Sequence, residues 1–65
     1  MDIVQFTQKC EELGLDFSSK CEKRDENLFV AYIVTGSLSW FGVGYNEADA
    51  MQTAIDEAIK YLKWD

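Results

Sequence analysis

Residues 27–45 read NLFVAYIVTGSLSWFGVGY. Two runs rich in β-branched and aromatic side chains flank a short turn, Thr35-Gly36-Ser37. Such side chains favour extended backbone, where they pack well on a pleated surface. Two runs of this kind around a glycine-containing turn predict a β-hairpin. A lone hairpin is marginal in water and needs more strands or a covering helix. That need governs how the rest of the chain is read.

The segment before the hairpin supplies a third strand. In LDFSSKCEK, residues 15–23, Phe17, Ser19 and Cys21 alternate with Asp16, Ser18 and Lys20, the period of a half-buried strand. RDEN then makes a polar turn. Both flanks have helical spacing. In DIVQFTQKCEEL, residues 2–13, the apolar residues Ile3, Phe6, Cys10 and Leu13 fall on one face. Asp2 suits the N-cap and Gly14 a left-handed stop. A second helix is predicted from Asn46, with Asp49 three residues on, a capping box with Asp in place of Glu. Its apolar face carries Ala50, Ala54, Ala58, Met51, Ile55, Ile59 and Leu62. Residues 1–65 therefore predict one domain of the α+β class. It is a two-layer α-β-β-β-α arrangement, a three-stranded antiparallel sheet with both helices on one face.

Charge and composition narrow the function. Six basic residues face 12 acidic ones, a net charge of −6. Affinity for nucleic acid comes largely from Lys and Arg displacing counterions, so this balance disfavours nucleic acid and anionic membranes. No run of about 18 apolar residues is present to span a bilayer. The N-terminus MDIVQFTQKCEELG has acids where a signal peptide needs a basic start, and a cytosolic protein is expected. There is no histidine, and Cys10 and Cys21 lack metal-ligand spacing. They read as reduced thiols in or near the core. Neither they nor the serines Ser18, Ser19, Ser37 and Ser39 have a base beside them in a recognisable pattern. No cofactor, metal, small-molecule substrate or enzymatic activity is expected.

The order of elements and its glycines and alanines are similar to the double-stranded RNA-binding domain (dsRBD). Leu28, Val30, Tyr32 and Val34 match the alternation of that family's second strand, and Gly36 its turn. Gly42 and Gly44 match its Gly-x-Gly, and Ala50, Ala54 and Ala58 its helix alanines. The likeness spans residues 3–62. It implies that small residues let the second helix sit close on the third strand. It also implies RNA-contact positions at Gln8, Glu11, Lys23, Asn46 and Glu47. The family's helix-opening lysines correspond here to Glu47, Ala48 and Met51, so the phosphate-gripping charges are absent. The loop between the first strands offers Lys23 and Arg24, offset by Asp25 and Glu26. Duplex RNA binding is thus expected to be lost or weak.

Strand parity points to another surface. With Leu28, Val30, Tyr32 and Val34 turned toward the helices, Phe29, Ala31 and Ile33 face the other way. The resemblance implies that Gly42 and Gly44 lie under the helix, and Phe41, Val43 and Tyr45 then point outward beside Phe29 and Ile33. That leaves an aromatic, apolar outer face where alternation should place polar residues. Its candidate partner-binding residues are Phe29, Ile33, Phe41, Val43 and Tyr45. Three uses compete: side chains that bend over strand edges or are covered by the chain's own YLKWD end, a homodimer or partner interface through the outer sheet face or the third-strand edge, or a stacking platform for single-stranded bases. The stacking platform lacks a basic groove. The function expected is a protein-interaction module or small regulator. The alternatives are residual duplex RNA binding and an acidic mimic of nucleic acid that blocks a basic partner.

Overall fold

A computed structural model describes residues 1–64. The elements run α1 (Ile3–Glu12), β1 (Ser18–Asp25), β2 (Leu28–Thr35), β3 (Leu38–Gly44) and α2 (Glu47–Leu62). The strands form one antiparallel sheet in the order β1-β2-β3. Residues from both helices share one core against one face of that sheet, the α-β-β-β-α architecture expected.

Local chemistry sets the helix ends. Asp2 Oδ1 accepts from the Gln5 N–H at 2.9 Å, and Gln5 Oε1 accepts from the Asp2 N–H at 3.0 Å. This reciprocal capping box satisfies donors that α1 would otherwise leave open. Gly14, at φ +69°, takes the left-handed conformation that ends the helix. The helix stops at Glu12, so Leu13 leaves the apolar face and is exposed. Asn46 caps α2, its Oδ1 accepting from the Asp49 N–H at 2.8 Å. The return bond runs from the Asn46 side-chain amide to Asp49 Oδ2 at 3.1 Å rather than from the cap's backbone.

The β2–β3 turn decides which side chains meet the helices. Thr35 pairs with Leu38, leaving only Gly36 and Ser37 in the loop. Gly36 has φ +60° and Ser37 does not have positive φ, the pattern of a type II′ hairpin. With that loop Gly42 pairs with Ala31, Gly44 with Phe29 and Trp40 with Ile33. Cross-strand partners share a face. A three-residue loop, Thr35-Gly36-Ser37, would pair Gly42 with Val30 instead and invert the strand.

The odd-numbered residues of β2 therefore point inward, opposite to the parity its own pattern predicts. Ala31 and Ile33 are fully buried among Phe6, Cys10 and the α2 alanines. Phe29 packs against the same core, half-buried. Gly42 and Gly44 lie under α2 as expected. A Cβ on Gly42 would come within 2.5 Å of the Ala50 carbonyl oxygen and closer still to Ala54 N. One on Gly44 would meet Ala50 N at 2.6 Å. Only glycine permits this seat of helix on strand. Phe6 closes the other end, its ring 5.8 Å from Phe17 and 5.3 Å from Trp64.

Candidate functional site

Two surfaces compete for function. The first is the outer face of the sheet. Register brings three rows together there: Ser18–Val34–Ser39, Lys20–Tyr32–Phe41 and Glu22–Val30–Val43. The β1 end of each row is polar. Lys20 Nζ lies 2.7 Å from Glu22 Oε1, and Arg24 Nε 3.5 Å from Glu22 Oε2. Arg24 also donates to Tyr32 Oη at 2.6 Å. The bond from Lys20 holds the Glu22 carboxyl below its ordinary pKa, and the same bond raises that of Lys20. The Tyr32 hydroxyl, followed by the Glu22 charge, raises the pKa of Arg24. Lys20 and Arg24 are exposed and Glu22 and Tyr32 half-buried, so the ladder is screened by solvent and adds little stability.

Toward β3 the same face turns apolar. Phe41 is 62% exposed, Val43 43% and Val34 40%. Leu28 and Tyr45 lie exposed at its end. Val30 faces this side yet is 8% exposed, shielded by Glu22 and Val43 on either strand. Neither helix covers the patch. Trp64 packs on Phe6 and Tyr61 on Trp40, both on the helix side of the sheet. The described part of the YLKWD end therefore does not shield it, and Asp65 lies outside the described residues.

Of the residues predicted for this face, Phe41, Val43 and Tyr45 are exposed as expected. Phe29 and Ile33 are not on it. Ile33 has no exposed surface and Phe29 joins the core, because the two-residue turn puts odd positions of β2 under the helices. In their place stand Leu28, Tyr32 and Val34, which sequence reasoning assigned to the core.

The second surface gathers the positions implied by the likeness to RNA-binding domains. Gln8 and Glu11 are exposed on α1. Lys23 pairs with Phe29, and Phe29 with Gly44, so Lys23 stands at the end of the sheet where α2 begins. Asn46 and Glu47 open that helix. Asn46 is engaged by Asp49, and Glu47 and Asp49 place carboxylates at the positive end of the helix dipole. A phosphate approaching those N–H groups meets two negative charges first. Burial, then the Glu47 and Glu22 carboxylates, raise the pKa of Cys21, which sits half-buried nearby.

Both cysteines are free. Burial raises the Cys10 pKa, with partial relief from the Thr35 hydroxyl. Thr35 Oγ1 is sealed in the core without a hydrogen-bond partner among the described residues. Among the described residues no group of three or more His, Cys, Asp or Glu converges as a metal site, and no helix is long and apolar enough to cross a membrane. No family model, curated protein or solved structure matches the chain in comparisons with known proteins.

Proposed function

We propose that the chain is a dsRBD-like module whose working surface is the outer face of its sheet. Its task is to bind a protein, as a small cytosolic regulator or inhibitor. The observation that carries this reading is Phe41, 62% exposed on the same face of the sheet as the exposed Val34 and Val43. Aromatic residues dominate the energetics of protein interfaces, and monomers seldom leave such patches bare. Membership of the dsRBD class is supported by the element order and by the close seat of Ala50 and Ala54 on Gly42 and Gly44. Duplex RNA binding is disfavoured by Glu47 and Asp49 at the start of α2.

Affinity capture with immobilised wild-type and Phe41→Asp protein tests the reading. The partner is expected on wild type and absent from the variant, with an unchanged circular dichroism spectrum. Capture that survives Phe41→Asp but is lost on Glu47→Lys contradicts it and favours the acidic mimic, whose complexes weaken as salt rises. A mobility shift of duplex RNA at about 50 mM salt would return the module to nucleic acid.

A further inference from the structure

One ridge of α2 runs beside β3. Asp49, Thr53, Glu57 and Tyr61 follow at four-residue steps, so they stand in line on one side of the helix. Three of them meet successive inward positions of the strand. A Cβ on Gly44 would come within 2.8 Å of the Asp49 side chain, and one on Gly42 within 2.8 Å of the Thr53 backbone. The Tyr61 ring lies 5.8 Å from the Trp40 ring, tilted by 59°. Glu57 stands in this row between Thr53 and Tyr61.

The seam between ridge and strand opens in two adjoining grooves. One, of about 370 Å³, is lined by Ser39, Trp40, Phe41, Thr53 and Glu57. The other, of about 290 Å³, is lined by Trp40, Glu57, Lys60 and Tyr61. Trp40 and Glu57 line both, so the seam sets three aromatic rings around one carboxylate. Among the described residues Glu57 enters no ion pair and no side-chain hydrogen bond, although Lys60 follows three residues on.

Rings and a carboxylate together suit a cation. Aromatic faces attract positive charge through the ring quadrupole, tryptophan most strongly, and Glu57 supplies the counter-charge. Arginine fits this set better than lysine. Its guanidinium is flat and weakly hydrated, stacks on aromatic rings and forks onto a carboxylate. A lysine ammonium holds its water more strongly, and this seam is too open to strip it, since Phe41 and Tyr61 are both exposed.

We propose that the seam binds an arginine side chain of a basic protein partner, its guanidinium stacked on Trp40 and paired with Glu57, between Phe41 and Tyr61. This deepens the interaction reading above and rests on it. Phe41 belongs to both the seam and the outer face, so one partner reaches the two together. Charge selects that partner: the chain carries −6, and Asp49 adds a second carboxylate to the same ridge. Lys60 lines only the smaller groove, which leaves the Phe41 end open to an incoming cation.

NMR titration with a capped alanine pentapeptide carrying arginine at its centre tests the site, with lysine or glutamine there as controls. The arginine peptide should shift the Trp40 indole N–H and the Tyr61 ring signals and saturate in the low millimolar range. It should bind at least about threefold tighter than the lysine peptide, and the glutamine peptide should shift neither signal. Glu57→Gln and Tyr61→Leu, both at exposed positions, should each weaken binding about fivefold with the remaining amide signals in place. Glu26→Gln removes the same charge from the β1–β2 turn, at the other end of the sheet, and should leave affinity unchanged. Equal weakening by Glu57→Gln and Glu26→Gln overturns the inference, because the attraction is then diffuse. So does a Trp40 indole signal unmoved up to about 20 mM arginine peptide. In either case, capture of a protein that is lost on Phe41→Asp leaves the outer-face reading standing without the seam.

Discussion

The two faces of this sheet draw on the same kinds of side chain but end in opposite environments. On the inner face Ala31 and Ile33 are sealed under Phe6, Cys10 and α2. On the outer face Val34, Phe41 and Val43 remain open to water. The residue that separates them is glycine. Gly42 and Gly44 admit α2 to the inner face, and their neighbours Phe41 and Val43 are sent outward by the pleat. An apolar strand is thus no guide to a core by itself. What decides is which face a helix can reach.

Substitutions on the two faces should differ accordingly, most at Gly42. Gly42→Val drives side-chain atoms into the backbone of Ala50 and Ala54. Overpacking against backbone is expected to cost on the order of 3 kcal/mol or more, most of the stability of so small a domain. Circular dichroism at 25 °C should show a largely unfolded chain, and a native spectrum would break the contrast. Next come two adjacent β2 positions. Ile33→Ala is expected to lower unfolding free energy by about 2–5 kcal/mol, and Val34→Ala by less than about 0.5 kcal/mol. Urea denaturation of the pair reads the parity of β2 directly, and equal losses would refute it. Asn46→Ala, which removes the α2 cap, should cost about 1 kcal/mol by the same assay.

The smallest effect concerns Cys10. Burial raises its folded-state pKa, so the thiol stays neutral in the fold while the unfolded thiol ionises near 9.0. Its contribution is complete below that value and is lost as pH climbs through the folded pKa. Wild type should therefore lose stability on the alkaline side more steeply than Cys10→Ala. Parallel slopes above pH 9 would show that the thiol is not protected.

Much of the fold was legible because its signals are local. Asp2 and the pair Asn46 and Asp49 mark helix starts, and Gly14 marks a stop. The spacing of Ala50, Ala54 and Ala58 against Gly42 and Gly44 announced the close helix–strand seat. The site was half legible. Phe41, Val43 and Tyr45 followed from the glycines beside them. Leu28, Tyr32 and Val34 did not, because β2 is apolar at nearly every position and shows no polar phase. One turn residue decides its parity. Counting Gly36-Ser37 as the loop pairs Gly42 with Ala31, whereas counting Thr35 as well pairs it with Val30. The signal was present in the glycine at the first loop position, which favours the two-residue type II′ turn. The ion pairs of Lys20, Glu22 and Arg24 run along β1 at two-residue spacing, and only the bond from Arg24 to Tyr32 depends on register between strands.

Fluorescence-detected sedimentation of the labelled protein, alone and in cell extract, tests most directly whether the outer face is the working surface. Wild type and Glu47→Ala should both sediment faster than a 7.5 kDa monomer, with Phe41→Asp reduced to monomer while keeping its fold. A Phe41→Asp chain that sediments like wild type, with association lost instead on Glu47→Ala, would contradict it.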